Sequence, residues 1–197
     1  RCWMMDFRVE HLDITNKVVR TADGDYPYTA CVLASGATPV ANGFPTDSYE
    51  PYMLRTMEDE ERLRAMLADD ARQNILVSGA SMVALKMVEA ALEQNKTVTI
   101  VGMNPHLLDF SALPEAAIRF ERGMLDKGVT LRLSQTISSV ESIPNDGPLG
   151  RSLKVTFSTG DVVEYDEICV AHGMKCNLDY LEDGALAIDR GVLVDDN

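Results

Sequence analysis

The alternation of apolar and polar segments predicts a strand, a helix and a second strand in the middle of the chain. Residues 75–77 form a short apolar run, the small residues 78–81 follow it, and residues 82–94 have the composition of a helix. The β-branched run 97–101 then predicts another strand. Because this order is typical of a parallel crossover, we expect the two strands to lie in one parallel sheet.

Neighbouring segments extend this pattern to an α/β fold. Pro114 lies near the first position of a helix predicted over residues 113–126, and residues 129–133 predict a third strand. The apolar run 168–171 predicts a further buried strand that ends in a glycine turn. The sequence therefore predicts a parallel sheet with helices between its strands.

Two groups of short strands separated by polar turns predict β-meanders. The first covers residues 7–28, where an Asp-Gly turn at residues 23–24 precedes the last strand. The second has strands at residues 136–143, 153–158 and 162–165. We interpret it as a meander inserted after the alternating strands and helices of the parallel sheet.

The segment between the first meander and the sheet contains three further features. Residues 30–34 are continuously apolar and predict a strand buried on both faces, and the proline-rich residues 39–51 predict a connector. Thr56 and Asp59 have the spacing of a capping box and predict the start of a helix. The buried face of that helix is predicted to contain Leu63, Met66 and Leu67.

Charge and composition exclude several classes of function. The 197 residues include 31 acidic and 18 basic side chains, which gives a net charge of −13. Nucleic acids and anionic bilayers require clustered Lys and Arg, so we expect no nucleic-acid partner. No apolar run reaches the roughly 18 residues of a membrane span, so none is expected.

The cysteines and histidines indicate neither a disulfide framework nor a metal site. The cysteines show no C-x-x-C spacing, and we expect them to be reduced and mostly buried. They are Cys2, Cys31, Cys169 and Cys176. The three histidines are far apart in sequence, which leaves no zinc spacing. Reduced cysteines favour the cytosol or an organelle matrix over secretion.

The turn before the central helix has the composition of an anion site. Helix N-termini offer unpaired amides and a positive dipole end, and small residues let a pyrophosphate approach the backbone. Gly79 and Ala84 match the first and last positions of the dinucleotide fingerprint, whereas Ser81 replaces its middle glycine. The same residues would also let a helix pack tightly on the sheet without a ligand, so the turn alone leaves both interpretations open.

The residue that would bind the adenosine ribose is not an acid. A carboxylate is expected about 20 residues after the fingerprint, at the end of the second strand. That position is Gly102, the next carboxylate is Asp109, and no Arg lies close by in sequence to meet the 2′-phosphate of NADP. The sequence therefore leaves the choice between NADH and NADPH open.

Several motifs in order carry a resemblance to a family. They are VLASGATP at 32–39, LRTMEDEERL at 54–63, NILVSGASMVALKMVEAAL at 74–92, VTIVG at 98–102 and EICVAHGMKCN at 167–177. Together they resemble the pyridine nucleotide-disulfide oxidoreductase family of flavoproteins. Within it, the chain is most similar to the branch of ferredoxin reductases, NADH-dependent nitrite reductases and apoptosis-inducing-factor-like proteins.

The resemblance implies a Rossmann-like NAD(P)-binding domain nested in an FAD domain. Residues 1–52 would be a partial FAD-domain β-meander with a connector, residues 53–171 the NAD(P)H domain with its inserted β-meander, and residues 172–197 the return towards the FAD domain. The implied pyrophosphate site consists of Gly79, Ala80, Ser81, Met82 and Val83. Gly102 would lie beside the adenosine ribose. The closing turn near the nicotinamide would consist of Ala171, His172 and Gly173.

The chain also departs from the family pattern. Lys86 stands where many members have Glu, Ala84 where most have Gly, and Cys176 where a Pro commonly precedes Asn177. The 197 residues contain neither the FAD fingerprint, nor the Gly-Asp motif, nor the redox cysteine pair. Since the chain also begins with Arg, we expect it to be a piece of a longer protein that binds FAD only with its flanking sequence.

Two functions are consistent with the sequence. The first is the NAD(P)H-binding module of an FAD-dependent oxidoreductase that passes hydride from nicotinamide to flavin and on to an electron-transfer protein or larger complex. The second is a degenerate, non-catalytic paralogue that acts as a structural or interaction subunit, because several motif positions are changed. We assign no catalytic residue. His172 is a candidate for orienting the nicotinamide, or a polar residue bonded to backbone at a strand end.

Overall fold

The computed structural model describes residues 7–41, 43–45 and 49–194. Its contacts divide the chain into two compact units, one formed by Arg1–Thr38 and Met174–Asn197 and the other by Pro39–Gly173. The domain boundaries that we expect after residues 52 and 171 remain predictions.

The described residues form twelve strands and three helices. The strands are β1 (Val9–Asp13), β2 (Val18–Thr21), β3 (Gly24–Pro27), β4 (Ala37–Pro39), β5 (Asn74–Ser78), β6 (Thr97–Gly102), β7 (Thr130–Leu133), β8 (Ile137–Pro144), β9 (Arg151–Phe157), β10 (Val162–Tyr165), β11 (Glu167–Val170) and β12 (Met174–Cys176). The helices are α1 (Met57–Leu67), α2 (Met82–Glu93) and α3 (Pro114–Asp126).

The larger unit is built on a parallel sheet with the strand order β11-β5-β6-β7. Ile75 and Val77 of β5 pack into an apolar core shared with the helices, whereas Leu76 faces a second core formed with the inserted meander. Both faces of the sheet are thus covered, which explains why its strands are continuous apolar runs. The α/β fold with a parallel sheet and an inserted β-meander is confirmed.

The inserted meander has the antiparallel order β10-β9-β8. Its buried side chains include Leu153, Val155 and Phe157 of β9, which alternate with less buried positions along the strand. This alternation is what a sheet with one covered face requires. The meander therefore closes the side of the parallel sheet that the helices leave open.

The predicted capping box starts α1. The amide of Asp59 donates to Thr56 Oγ1 at 3.2 Å, and Asp59 Oδ2 accepts the amide of Thr56 at 2.9 Å. The hydrogen bond that Asp59 Oδ2 accepts from the Thr56 amide stabilises the charged carboxylate and lowers the pKa of Asp59. The predicted apolar face is buried, as expected. None of the three helices within the described ranges combines the length and the apolar character that crossing a bilayer requires.

The smaller unit contains the first meander and a two-stranded sheet. Strands β1, β2 and β3 pair in this order, which confirms the predicted meander, and β4 pairs with β12. Asn177 closes the second sheet, because its amide donates to the Gly36 carbonyl at 3.0 Å and its side chain binds both Thr38 Oγ1 and the Ser35 carbonyl. The Ser-Gly turn at residues 35–36 is thus held by the return segment.

The strand expected at residues 30–34 is not formed. In the structure this segment has no regular secondary structure, and Val32 is 89% exposed. A buried strand requires hydrogen-bonded neighbours on its edges, and none of the described strands pairs with these residues. Cys31 is correspondingly exposed, so the expectation that it is buried was wrong, whereas Cys169 is buried. Cys2 lies outside the described residues.

The described residues of the connector, 39–41, 43–45 and 49–51, belong to the larger unit. Phe44 is buried in the core beneath the meander. The neighbouring Tyr52 exchanges backbone hydrogen bonds with β11, because its amide donates to the Ile168 carbonyl at 2.9 Å and its carbonyl accepts the amide of Val170 at 2.7 Å. Tyr52 therefore forms a short parallel bridge to β11, along the edge opposite to β5.

One buried carboxylate joins three separate segments at the amino end of β11. Glu167 is 1% exposed and accepts hydrogen bonds from Arg72 Nε at 2.8 Å, Arg151 Nη2 at 2.8 Å and the Tyr49 hydroxyl at 2.7 Å. Burial, and then the adjacent Glu167 charge, raise the pKa of Tyr49. This Glu167 cluster ties the meander, the connector and the segment before β5 to one strand.

We expect replacement of Glu167 by Ala to lower the free energy of unfolding by about 3 kcal/mol, because partly buried Arg151 loses its carboxylate partner and Arg72 keeps only Asp69. Urea denaturation measures the difference. The matched control is Glu141→Ala, which removes an exposed carboxylate 3.6 Å from Lys154 on the meander surface and should cost less than about 1 kcal/mol. Equal losses in the two variants would contradict the role assigned to the Glu167 cluster.

The cysteines should differ in reactivity towards alkylating agents. Burial raises the pKa of the Cys169 thiol to about 12, so roughly one thiol in ten thousand is ionised at about pH 8. Cys31 is exposed. After brief iodoacetamide treatment of the native protein, peptide mass spectrometry should find Cys31 modified and Cys169 unmodified. Modification of both at the same rate would show that β11 is accessible to solvent.

Candidate functional site

The turn between β5 and α2 requires glycine at its first position. Gly79 has φ +125°, and a Cβ on it would lie 2.6 Å from the carbonyl oxygen of Ala171. Its amide donates to the Val101 carbonyl at 2.8 Å. Both the backbone conformation and the close approach exclude a side chain here. The fingerprint glycine thus has a structural reason that is independent of any ligand.

The start of α2 presents backbone donors at the end of this turn. Ser81 is the N-cap residue, and its hydroxyl accepts the amide of Ala84 at 3.4 Å. The amides of Met82 and Val83 lie in the first turn, where a helix supplies no carbonyl partner. The first turn of α2 has no acidic side chain. The positive end of the helix dipole is therefore not compensated there and favours an anion.

The turn after β11 lies beside the turn after β5 because the two strands are parallel neighbours. The amide of Ala171 donates to the Ser78 carbonyl at 2.8 Å, and the Ser78 hydroxyl lies 2.7 Å from His172 Nε2. The ring of Phe44 meets the His172 ring edge-on at a centroid distance of 6.5 Å. Gly173 has φ +113° and open space where a Cβ would stand. The turn after β11 therefore holds the His172 imidazole in place beside accessible backbone atoms of Gly173.

Gly102 ends β6 at the same edge of the sheet. A Cβ on Gly102 would lie 3.0 Å from the Cβ of Ala80, so the two small residues pack closely. The segment that follows, residues 103–112, returns to the glycine turn, where the amide of Leu108 donates to the Ala80 carbonyl at 2.9 Å. We call this segment the β6–α3 loop. It forms one wall over the glycine turn.

These elements enclose a cavity of about 550 Å³, a volume in the range of small-molecule sites. Seven of the sequence-predicted residues line it: Gly79, Ala80, Ser81, Gly102, Ala171, His172 and Gly173. Met82 and Val83 do not line it, and their side chains are 55% and 42% exposed. Only their backbone amides remain candidates for ligand contacts. The cavity therefore brings together three turns that are far apart in sequence.

The cavity also contains residues that the sequence reasoning did not identify. They are Gly43, Phe44, Ser78, Val101, Met103, Asn104, Leu108, Asp109, Phe110, Ser111, Gln135, Thr136 and Ile137. Gln135 and Thr136 follow β7, and the rule that ligands bind at the carboxyl ends of parallel strands was sufficient to find them. Phe44 comes from an irregular connector, for which no sequence pattern gives a position.

Other candidate groups lie outside this cavity. Lys86 is exposed on α2, and its Nζ lies 2.6 Å from Glu89 Oε2, which supports the interpretation of a solvated helix face. Cys176 lies on β12 in the smaller unit. Within the described residues, no group of three or more His, Cys, Asp or Glu side chains could hold a metal ion.

Comparison with known proteins gives a consistent result. A family model described as pyridine nucleotide-disulphide oxidoreductase matches residues 3–197. Subunit epsilon of the NADH-dependent phenylglyoxylate dehydrogenase of Aromatoleum evansii is 30% identical over 89% of this chain and 40% of its own length. The rubredoxin-NAD(+) reductase of Pseudomonas putida is 27% identical over 98% of this chain and 49% of its own length.

The fold is shared with solved structures. The ferredoxin reductase for the CYP199A2 system from Rhodopseudomonas palustris superimposes with a TM-score of 0.85 at 21% identity, over 96% of this chain and 46% of that one. The chain thus spans about half the length, or less, of the relatives that it matches.

We expect Gly79→Ala to lower the free energy of unfolding by about 2–3 kcal/mol, because the methyl group meets the Ala171 carbonyl and the backbone conformation is strained. Gly123→Ala is the matched control. Gly123 lies within α3 and has open space where a Cβ would stand, so this change should stabilise the protein by about 0.5–1 kcal/mol. Thermal denaturation distinguishes the two, and a stabilised Gly79→Ala would contradict the proposed close approach.

Proposed function

The chain belongs to the pyridine nucleotide-disulphide oxidoreductase family, and from that premise we propose that it is the NAD(P)H-binding module of an FAD-dependent oxidoreductase. The observation that carries the proposal is the cavity at the carboxyl edge of the parallel sheet, where a glycine turn, a helix N-terminus and a second glycine turn converge. This is the place where doubly wound sheets bind dinucleotides.

The residues of the cavity fit a dinucleotide in size and in chemistry. Ser81 lines the cavity, and the amides of Met82 and Val83 follow it in the first turn of α2, so the Ser81 hydroxyl and these amides are donors suited to the pyrophosphate. Gly102 and Ala80 keep the neighbouring wall free of bulk, as a closely bound ribose requires. The absence of a side chain at Gly173 leaves backbone accessible at the other turn. These features support the predicted assignment of the pyrophosphate, ribose and nicotinamide positions.

In this proposal the protein binds and orients, and the cofactor supplies the hydride chemistry. The Ser78 hydroxyl holds the His172 imidazole through its Nε2 atom, and the Phe44 ring packs against it. A fixed imidazole beside the Gly173 turn would restrict the orientation of the nicotinamide. Positioning of this kind lowers the entropic part of the barrier to hydride transfer.

The acceptor of the hydride in this proposal is FAD, and the electrons then pass to a protein redox partner. The family assignment supports the flavin, and the name of the Pseudomonas putida relative supports a small electron-transfer protein such as rubredoxin. The comparisons do not favour the alternative of a non-catalytic structural subunit.

Titration with NADH and NADPH tests the proposal directly. At least one of the two dinucleotides should bind saturably at submillimolar concentration. Nicotinamide fluorescence or calorimetry measures the binding. Ser81→Asp should then weaken binding at least about tenfold, because it places a negative charge at the pyrophosphate position. The fold should be preserved, since Asp is a favourable N-cap residue.

The matched control is Thr56→Asp, which makes the same type of change at the N-cap of α1, outside the cavity. It should leave the dissociation constant unchanged. Failure of wild type to bind either dinucleotide below millimolar concentration would overturn the proposed function. An equal loss of affinity in the two Asp variants would overturn the assignment of the pyrophosphate to α2.

A further inference from the structure

The charge inside the cavity is negative. Among the described residues that line it, Asp109 has a carboxylate, His172 is the only other titratable side chain, and Lys and Arg are absent. This distribution is informative because a pyrophosphate can be bound by backbone amides, whereas the 2′-phosphate of NADP is usually met by a basic side chain.

The β6–α3 loop holds Asp109 in place. Asp109 Oδ2 accepts a hydrogen bond from Asn104 Nδ2 at 3.1 Å. Asn104 is itself held by the residue after β7, since its carbonyl accepts the amide of Ser134 at 3.0 Å. On the side facing α3, Glu121 Oε1 accepts the amide of Leu107 at 2.9 Å. Asp109 is exposed at the surface, but the loop that carries it is anchored by these hydrogen bonds.

Asp109 is linked through Asn104 to the carboxyl end of β6. In the dinucleotide fold the ribose lies at the end of the second strand, which here is β6 and ends at Gly102. Asn104 follows two residues later and binds Asp109. The fingerprint of this chain lacks a carboxylate at the strand end, and the next one, Asp109, follows seven residues further along the chain and lines the same cavity.

Arg132 is a basic residue near the cavity, but its side chain is held by other partners and does not line the cavity. Arg132 precedes the cavity residue Gln135 by three positions, and its Nη1 atom donates to Gln135 Oε1 at 3.3 Å and to Asp161 Oδ2 at 2.9 Å. Its guanidinium also lies 4.3 Å from the centre of the Phe157 ring. These partners hold Arg132 against the inserted meander, and it does not line the cavity.

We propose that Asp109 determines the cofactor preference of this site, accepting a hydrogen bond from a ribose hydroxyl of NADH and repelling the 2′-phosphate of NADPH. The inference rests on the proposed function and specifies its substrate class. It assigns to a loop residue the role that the fingerprint gives to the strand-end acid.

Binding titrations of the intact protein with NADH and with NADPH test the inference. Wild type should bind NADH at least about tenfold more tightly, which corresponds to about 1.4 kcal/mol. Asp109→Asn should narrow this ratio to less than about threefold, mainly through tighter binding of NADPH. The matched control is Asp70→Asn, which removes an exposed aspartate near the amino end of β5, outside the cavity, and should leave the ratio unchanged.

The dependence of the NADH preference on salt provides a second readout. Repulsion between Asp109 and a 2′-phosphate is screened by ions, so the NADH preference of wild type should shrink as the salt concentration rises, and that of Asp109→Asn should shrink less. Binding of neither dinucleotide would overturn the proposed function and this inference with it. Binding of both with equal affinity, or a ratio that Asp109→Asn leaves unchanged, would overturn this inference alone.

Discussion

The candidate site depends on one steric constraint, the approach of the Gly79 backbone to the carbonyl of Ala171. Because a Cβ would stand 2.6 Å from that oxygen, the turns after β5 and β11 can meet only if residue 79 has no side chain. Their meeting forms the floor of the cavity, and α2 begins at its border, where Ser81 is the N-cap residue. The amide of Gly79 is bound by Val101, so β6 is fixed to the same point. Other parts of the cavity lining come from the β6–α3 loop, from the residues after β7 and from the connector.

Features that follow from local rules could be predicted from the sequence. The capping box of Thr56 and Asp59 needs two residues in one turn, and the strand around Leu76 is apolar because both of its faces are covered. The cavity residues of the turn after β5 and Gly102 follow from the spacing of the dinucleotide fingerprint, whereas Ala171, His172 and Gly173 were expected from the resemblance to the family. They line one cavity because parallel strands bring their carboxyl ends to one edge.

Features that depend on distant partners could not be predicted. Residues 30–34 have the composition of a buried strand, but composition does not show whether a neighbour is present to pair with them. Phe44 and Tyr49 come from an irregular connector, and only the tertiary structure brings Phe44 to His172 and Tyr49 to Glu167. Asp109 was visible in the sequence as the next carboxylate, yet its relation to Gly102 depends on the return of the β6–α3 loop.

Strand β11 is four residues long, or about 13 Å, and its two ends have separate tasks. At the amino end Glu167 joins the connector, the meander and the segment before β5, and at the carboxyl end the chain turns into the cavity. Substitutions in the β6–α3 loop therefore do not touch the ionic cluster that holds the larger unit together. Such a division would let residues that line the cavity change during evolution while the scaffold keeps its stability.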